Sequence, residues 1–204
     1  MSRLYLKGPV WLLQPIPYFG ERLKGKWIVE PKIDGWRLQV IKDNKGDVFL
    51  YGRRLEKNPN WTEKLSFLIP ATAFLPNGTL LDCELYSSRG RRFIPSLFSK
   101  NRKAEPLIFV FDILFFNGEF IGTRKLSERK AILFQLKIQP PLYCLPYREF
   151  QNPTLSSPEM VERKISFLPG IDFEGIILKK SSSLYLIGKE GPLATENWRK
   201  IRWR

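Results

Sequence analysis

Apolar residues come mostly in short alternating runs separated by turn residues, a period-two pattern that predicts many strands and few helices. Strands are expected at Trp27 to Lys32, Trp36 to Ile41, Val48 to Tyr51, Thr79 to Tyr86, Leu107 to Phe115, Phe173 to Lys179 and Asn197 to Trp203. Asp43-Asn44-Lys45-Gly46 supplies left-handed turn residues that join the second and third as a hairpin, and Asn117-Gly118 closes the fifth. Two helices are expected. One is capped by Ser127 and runs to about Lys137; the other opens at Ser157-Pro158 and puts Val161, Ile165 and Leu168 on one face. No Pro, Ser or Gly stretch is long enough for a linker, and no internal repeat is present, so residues 1–204 read as a single α+β domain built on antiparallel sheets.

Composition supports a folded core: 43% of the 204 residues are hydrophobic and 14% aromatic, enough apolar surface to offset the entropy of ordering. The chain carries no histidine, which removes Ser-His-Asp triads, histidine bases and imidazole metal sites. Cys83 and Cys144 are too few for a disulfide framework or a thiolate zinc site, which points to a reducing compartment. The start lacks the apolar run of a signal peptide, and Leu107 to Phe116, interrupted by Asp112, is about half the length needed to cross a bilayer. A soluble cytoplasmic protein without a membrane partner is therefore expected. Thirty-four Lys and Arg against twenty Asp and Glu leave +14, a field that favours polyanionic partners such as nucleic acid or nucleotide phosphates. Six cations and no acid lie between Arg89 and Lys103, with Phe93 and Phe98 among them; the run reads either as a solvated surface loop or as a track for phosphates.

Candidate chemistry concentrates in Glu30-Pro31-Lys32-Ile33-Asp34-Gly35-Trp36-Arg37. A lysine amine is nucleophilic only when neutral, and with a free pKa of about 10.4 it needs burial, neighbouring cations or a metal to lose its proton. Lys32 falls at the end of an apolar strand, before a turn at Asp34-Gly35, so the amine is expected at a strand end facing a cleft. Gly35 permits close approach there, and Arg37 returns on the next strand as a planar donor to phosphate or sugar oxygens. Taken alone, Lys-x-Asp-Gly also describes an ordinary surface hairpin.

Four further blocks follow in order: Leu81-Asp82-Cys83-Glu84-Leu85, Phe109-Val110-Phe111-Asp112-Ile113-Leu114, Phe173-Glu174-Gly175-Ile176-Ile177-Leu178-Lys179 and Trp198-Arg199-Lys200-Ile201-Arg202. With Lys32-x-Asp34-Gly35-x-Arg37 they resemble the signature of the covalent nucleotidyltransferases across nearly the whole chain. Glu174-Gly175 in the fourth block and the segment Gly118 to Leu133 make the sequence similar to the adenylation domain of ATP-dependent DNA ligases.

The resemblance implies a DNA ligase-like nucleotidyltransferase fold, antiparallel sheets flanked by helices with the nucleotide cleft between them. It implies that Lys32 takes AMP from ATP as a lysyl-AMP and passes it to the 5′-phosphate of a nick, after which a 3′-hydroxyl displaces AMP. Glu30 is implied near the adenine, largely through its backbone, with Phe111 stacked on the base. Arg37 is implied at the ribose, Glu84 at a ribose hydroxyl, and Arg53 at the ribose or the nick phosphate. Lys179, Lys200 and Arg202 are implied at phosphate, Glu84 and Glu174 at Mg2+ (or Mn2+), and Asp34 and Gly35 support the nucleophile's turn. Implied partners are ATP and nicked double-stranded DNA, with RNA as an alternative, in replication, repair or recombination. A monomer is expected, in the cytoplasm or on the nucleoid if the cell is prokaryotic. The sequence departs from the pattern at Cys83, which stands where glycine is usual, at Ala194, where an arginine is frequent, and at Arg202, which replaces a lysine. No OB-fold follows Arg202, so a separate OB-fold or clamp protein is a further expected partner. Two alternatives stay open: an RNA ligase or other lysyl-nucleotidyltransferase, and a non-catalytic basic module that binds nucleic acid.

Overall fold

The computed structural model describes residues 6–154, 171 and 173–202. Eleven strands are present among them: β1 (Gln14–Pro17), β2 (Lys26–Ile33), β3 (Trp36–Lys42), β4 (Val48–Gly52), β5 (Thr79–Ser87), β6 (Pro106–Phe116), β7 (Glu119–Phe120), β8 (Leu142–Cys144), β9 (Arg148–Gln151), β10 (Phe173–Lys180) and β11 (Ala194–Arg202). One α-helix, α1 (Leu126–Gln135), and short 3-10 segments at Leu55–Lys57, Ser66–Thr72 and Arg91–Phe98 complete the described chain. The strands form two sheets, one in the order β1-β11-β10-β2-β9 and one in the order β4-β3-β5-β6-β7, with β8 on β6. This is the expected mixed fold, except that β1 on β11 and β8 on β6 pair in parallel. No described helix is long and apolar enough to cross a membrane.

Alternation sorts each strand between a cleft and a core. On the first sheet Trp27, Val29, Ile176 and Leu178 bury together beneath Tyr18, Phe150 and Ile201. Their alternates, Glu30, Lys32, Ile177, Lys179 and Lys200, line the cleft. On the second sheet Leu38, Val40, Leu81, Cys83 and Leu85 pack with Ile94, Leu97 and Leu133 from the 3-10 segment and α1. Cys83 is thus a core side chain facing away from the neighbouring Glu84, and the missing glycine is absorbed by packing. A third cluster, Leu12, Leu13, Ile41, Leu80, Phe115, Tyr185 and Trp198, joins the two sheets.

Differences from the sequence reading have local causes. β1 is a proline-rich edge strand without an apolar alternation of its own; it is held by β11 and by the Gln14 amide donating to Leu193. Ser127 does not cap α1. The helix begins at Leu126, the Leu126 and Ser127 amides donate to the Ser183 and Ser181 carbonyls at 2.9 and 3.1 Å, and the Glu128 carboxylate accepts the Lys125 amide at 2.7 Å. The two carbonyl acceptors lie more than fifty residues away in sequence. In the Asp43–Gly46 turn only Gly46 has a positive φ, whereas Asn117 and Gly118 both do, as a two-residue hairpin requires. The basic run after Arg89 is a folded segment that buries Ile94 and Leu97 and leaves its cations outside. The helix expected at Ser157 to Leu168 lies outside the described residues, as does the end of the last strand at Trp203.

Among the described residues, the most deeply buried ion pair joins α1 to β6. Arg129 donates to both oxygens of Asp112 at 2.8 and 2.9 Å, and neither side chain is exposed. Burial alone raises the Asp112 carboxyl, but the guanidinium brings it below the usual carboxylate range. Asp112→Asn is expected to cost about 3–5 kcal/mol in denaturant unfolding at neutral pH, because it leaves a buried cation uncompensated. The wild-type advantage should shrink in acid, as Asp112 protonates below its unfolded pKa; a difference independent of pH would contradict this assignment.

Candidate active site

Between the sheets lies a cleft of about 750 Å³. Glu30, Lys32, Gly35, Arg37, Arg53, Glu84, Phe111, Glu174, Lys179, Lys200 and Arg202 all line it. Asp34 does not. Its carboxylate accepts Arg91, at the start of the basic segment, so this aspartate holds the turn from outside.

Two backbone irregularities aim side chains into the cleft. The β2–β10 register slips between Phe173 and Ile176, so Glu174 joins Ile177 and Lys179 on the cleft face against simple alternation. Gly175 makes this possible: its φ is +147°, and a Cβ there would fall 1.9 Å from the Ile201 carbonyl oxygen. On β6, Asp112 pairs with Asp82 and Val110 with Cys83, leaving Phe111 as the extra residue of a bulge, half-buried at the cleft wall. Gly35 serves close approach in another way, since a Cβ on it would meet the Leu85 carbonyl oxygen at 2.4 Å and Glu84 Cγ at 2.7 Å.

The charged groups fall into two sets along the first sheet. At one end Lys32 Nζ pairs with Glu174 Oε1, which also lies 3.5 Å from Arg202. Burial lowers the Lys200 pKa, and the neighbouring charges of Arg202, Lys32 and Arg53 lower it further. Four cations, Lys32, Arg53, Lys200 and Arg202, outnumber the carboxylates Glu174 and Glu84 here and make this end a strong anion site. Trp198, Lys200 and Arg202 follow one another on β11 at two-residue spacing, so about 13 Å of strand separates this end from the other. There Glu30 is buried with its Oε1 on Lys130 and its Oε2 2.7 Å from Lys179. Lys179 Nζ lies 4.5 Å from the Phe111 ring centroid and 4.2 Å from that of Trp198.

The second sheet supplies Arg37 and Glu84, paired across β3 and β5. Arg37 grips both oxygens of buried Asp82 at 2.8 and 2.5 Å, and the Tyr185 hydroxyl donates to Asp82 at 2.7 Å. The fork is thus locked before any ligand arrives, with its carbon 5.2 Å from the Phe111 ring centroid. Burial pushes the Glu84 carboxyl up to about 7, although the Arg37 and Lys32 charges pull against it. Sequence reasoning missed Asp82 and Tyr185 as the locks on Arg37, Lys130 as a partner of Glu30, and Arg54, Lys57, Trp61, Lys64 and Arg91 on the cleft wall. The first three act through contacts distant in sequence; the wall residues were detectable only as an excess of cations. Ala194, where an arginine is frequent, is exposed at the start of β11.

A family model for the ATP dependent DNA ligase domain matches residues 14–202. The chain belongs to this family. The ligase-family domain is 29% identical over 204 residues to DNA ligase 1 of Methanosarcina mazei, covering 90% of this chain and 33% of that protein. It is 30% identical over 182 residues to the SPbeta prophage-derived DNA ligase-like protein LigB of Bacillus subtilis, covering 86% of this chain and 60% of that protein. The ligase domain of M. tuberculosis LigD shares the fold, with a TM-score of 0.67 at 21% identity over 94% of this chain and 59% of that one. The ligase-family domain thus spans a third to three-fifths of the length of these relatives.

The Glu84 assignment carries a pH signature. Its folded pKa of about 7 lies above the ordinary 4.5, so ionising it opposes folding, and that cost grows as pH rises from 4.5 through 7. Glu84→Gln should therefore gain melting temperature relative to wild type at pH 8 and lose that gain at pH 5. Parallel melting curves across this range would place Glu84 in a solvated site instead.

Proposed function

We propose that this domain performs nucleotidyl transfer for an ATP-dependent DNA ligase, with Lys32 as the nucleophile. The observation that carries the reading is the pairing of Lys32 with Glu174 inside a ring of cations, at one end of a cleft whose other end is aromatic. The aromatic end suits a purine and the cationic end a polyphosphate.

In the first step the neutral Lys32 amine attacks the α-phosphorus of ATP. An N–P bond forms, the bond from that phosphorus to the bridging oxygen breaks, and pyrophosphate leaves with its electron pair. Lys32 must give up a proton first, and Lys200, Arg202 and Arg53 line the same cleft. The same cations stabilise the charge that builds on the phosphoryl oxygens. AMP then passes to the 5′-phosphate at a nick, and the 3′-hydroxyl displaces it to close the backbone.

Phe111 stacks on the adenine, Glu30 and Lys179 lie beneath it, Arg37 and Glu84 face the ribose, and Arg53 reaches the ribose or the nick phosphate. Mg2+ or Mn2+ suits Glu84 and Glu174, hard oxygen donors at the phosphate end. Among the described residues no three Asp, Glu, His or Cys side chains cluster, and these two carboxylates would hold such an ion only together with oxygens of the nucleotide. Such an ion, when bound, neutralises phosphate charge. The +14 balance suits a DNA backbone read without regard to sequence. A monomer working in the cytoplasm with a separate OB-fold or clamp protein belongs to the same reading.

Incubation with α-labelled ATP and Mg2+ is expected to leave label on the denatured chain at Lys32. Lys32→Ala should abolish it, and Glu174→Gln should slow it about a hundredfold. Transfer of the label to nicked DNA in preference to nicked RNA completes the test. Label at another residue, or none with either metal, would overturn the proposal.

A further inference from the structure

One buried lysine belongs to none of the five sequence blocks. Lys130 on α1 is 2% exposed, does not line the cleft, and spends its ammonium on Glu30 Oε1, with the Tyr147 ring centroid 5.1 Å away. Glu30 stands two residues before the nucleophile on β2, and its other oxygen holds Lys179 between Phe111 and Trp198. The preceding helix residue, Arg129, grips Asp112, the neighbour of Phe111 on β6. Two consecutive cations of one helix turn therefore reach opposite sheets, one beneath each wall of the aromatic end.

We infer that Lys130 is a positioning residue for nucleotide binding, which fixes the base end of the cleft by holding Glu30, and through it Lys179, against Phe111. A lysine with no reach to the cleft is expensive to bury, and a carboxylate shared by two ammonium groups is the arrangement that compensates it. Without Lys130 both oxygens of Glu30 turn to Lys179, and the ammonium between the two rings follows them. The phosphate end, built from Lys32, Glu174, Lys200 and Arg202, makes no ion pair with Lys130 among the described residues. Loss of Lys130 should therefore be felt by a purine nucleotide and not by a bare polyphosphate.

The inference rests on the proposed function only for what fills the cleft, so binding rather than turnover is measured. The wild-type chain, K130M and K130R are titrated calorimetrically with ATP and with inorganic tripolyphosphate. K130M should weaken ATP about tenfold, the worth of one charge-assisted hydrogen bond, leave tripolyphosphate unchanged within about twofold, and be restored by K130R. A merely structural role would lower the melting temperature and weaken both ligands in step. That outcome, or a folded K130M that binds ATP as wild type does, overturns the inference. If K130M does not fold, K130Q, which keeps a donor for Glu30 without the charge, is held to the same two affinities. A wild-type chain that binds ATP but forms no label on Lys32 removes the ligase chemistry and leaves this inference to be judged by those affinities; one that binds no ATP overturns both.

Discussion

Charge buried between the two sheets, and the need to pair it, shapes this domain. Glu30, Asp82 and Asp112 are each 1% exposed or less, and an unpaired carboxylate there would be prohibitive. Each meets a cation brought from another element: Asp82 meets Arg37 from β3, Asp112 meets Arg129 from α1, and Glu30 meets Lys130 from α1 and Lys179 from β10. These pairs bond the helix to both sheets and β3 to β5 at fixed distances. The cleft walls therefore have little freedom to close on themselves, and the polar opening between two apolar clusters persists. The pairs need not add much net stability, since desolvation offsets most of their attraction; what they supply is register.

Within that frame, the functional side chains sit where the sheets are irregular. Glu174 depends on a bulge that only glycine permits, and Phe111 is the surplus residue of another. A regular ladder would send Glu174 to the outer face with Ile176 and Leu178, and would keep Phe111 in step with its core neighbours. The Glu-Gly pair at Glu174-Gly175 thus has a mechanical meaning, because the glycine lets the carboxylate cross to the cleft. Asp34-Gly35 works similarly, its glycine resting on the carbonyl of Leu85 and on Glu84.

These features mark what the amino-acid order reveals. Trp27 to Lys32, Thr79 to Tyr86 and Phe173 to Lys179 are legible as strands because a two-residue alternation is a local property, and their boundaries match within a residue or so. Eleven of the twelve residues singled out for the site line one cleft, because the blocks that carry them end on neighbouring strands. Asp34 is the exception, since its partner Arg91 lies in a separate basic segment. The partners of the buried groups are illegible for the same reason. Nothing near Glu30 in sequence points to Lys130, a hundred residues on, and nothing near Arg37 points to Tyr185. The prolines of β1 hide an edge strand that exists only because β11 accepts it, and α1 is capped by carbonyls from the loop after β10.

The Lys32–Glu174 pair follows from the same need to match charge with charge. Glu174 takes the Lys32 ammonium and lies 3.5 Å from Arg202, so one carboxylate answers cations from the strands on both sides of its own. The cations outnumber the carboxylates there, so a polyanion entering this end would find Arg202 and Lys200 as partners of opposite charge. Whatever enters this end meets only lysine, arginine and carboxylate as ionisable groups, since the chain contains no histidine.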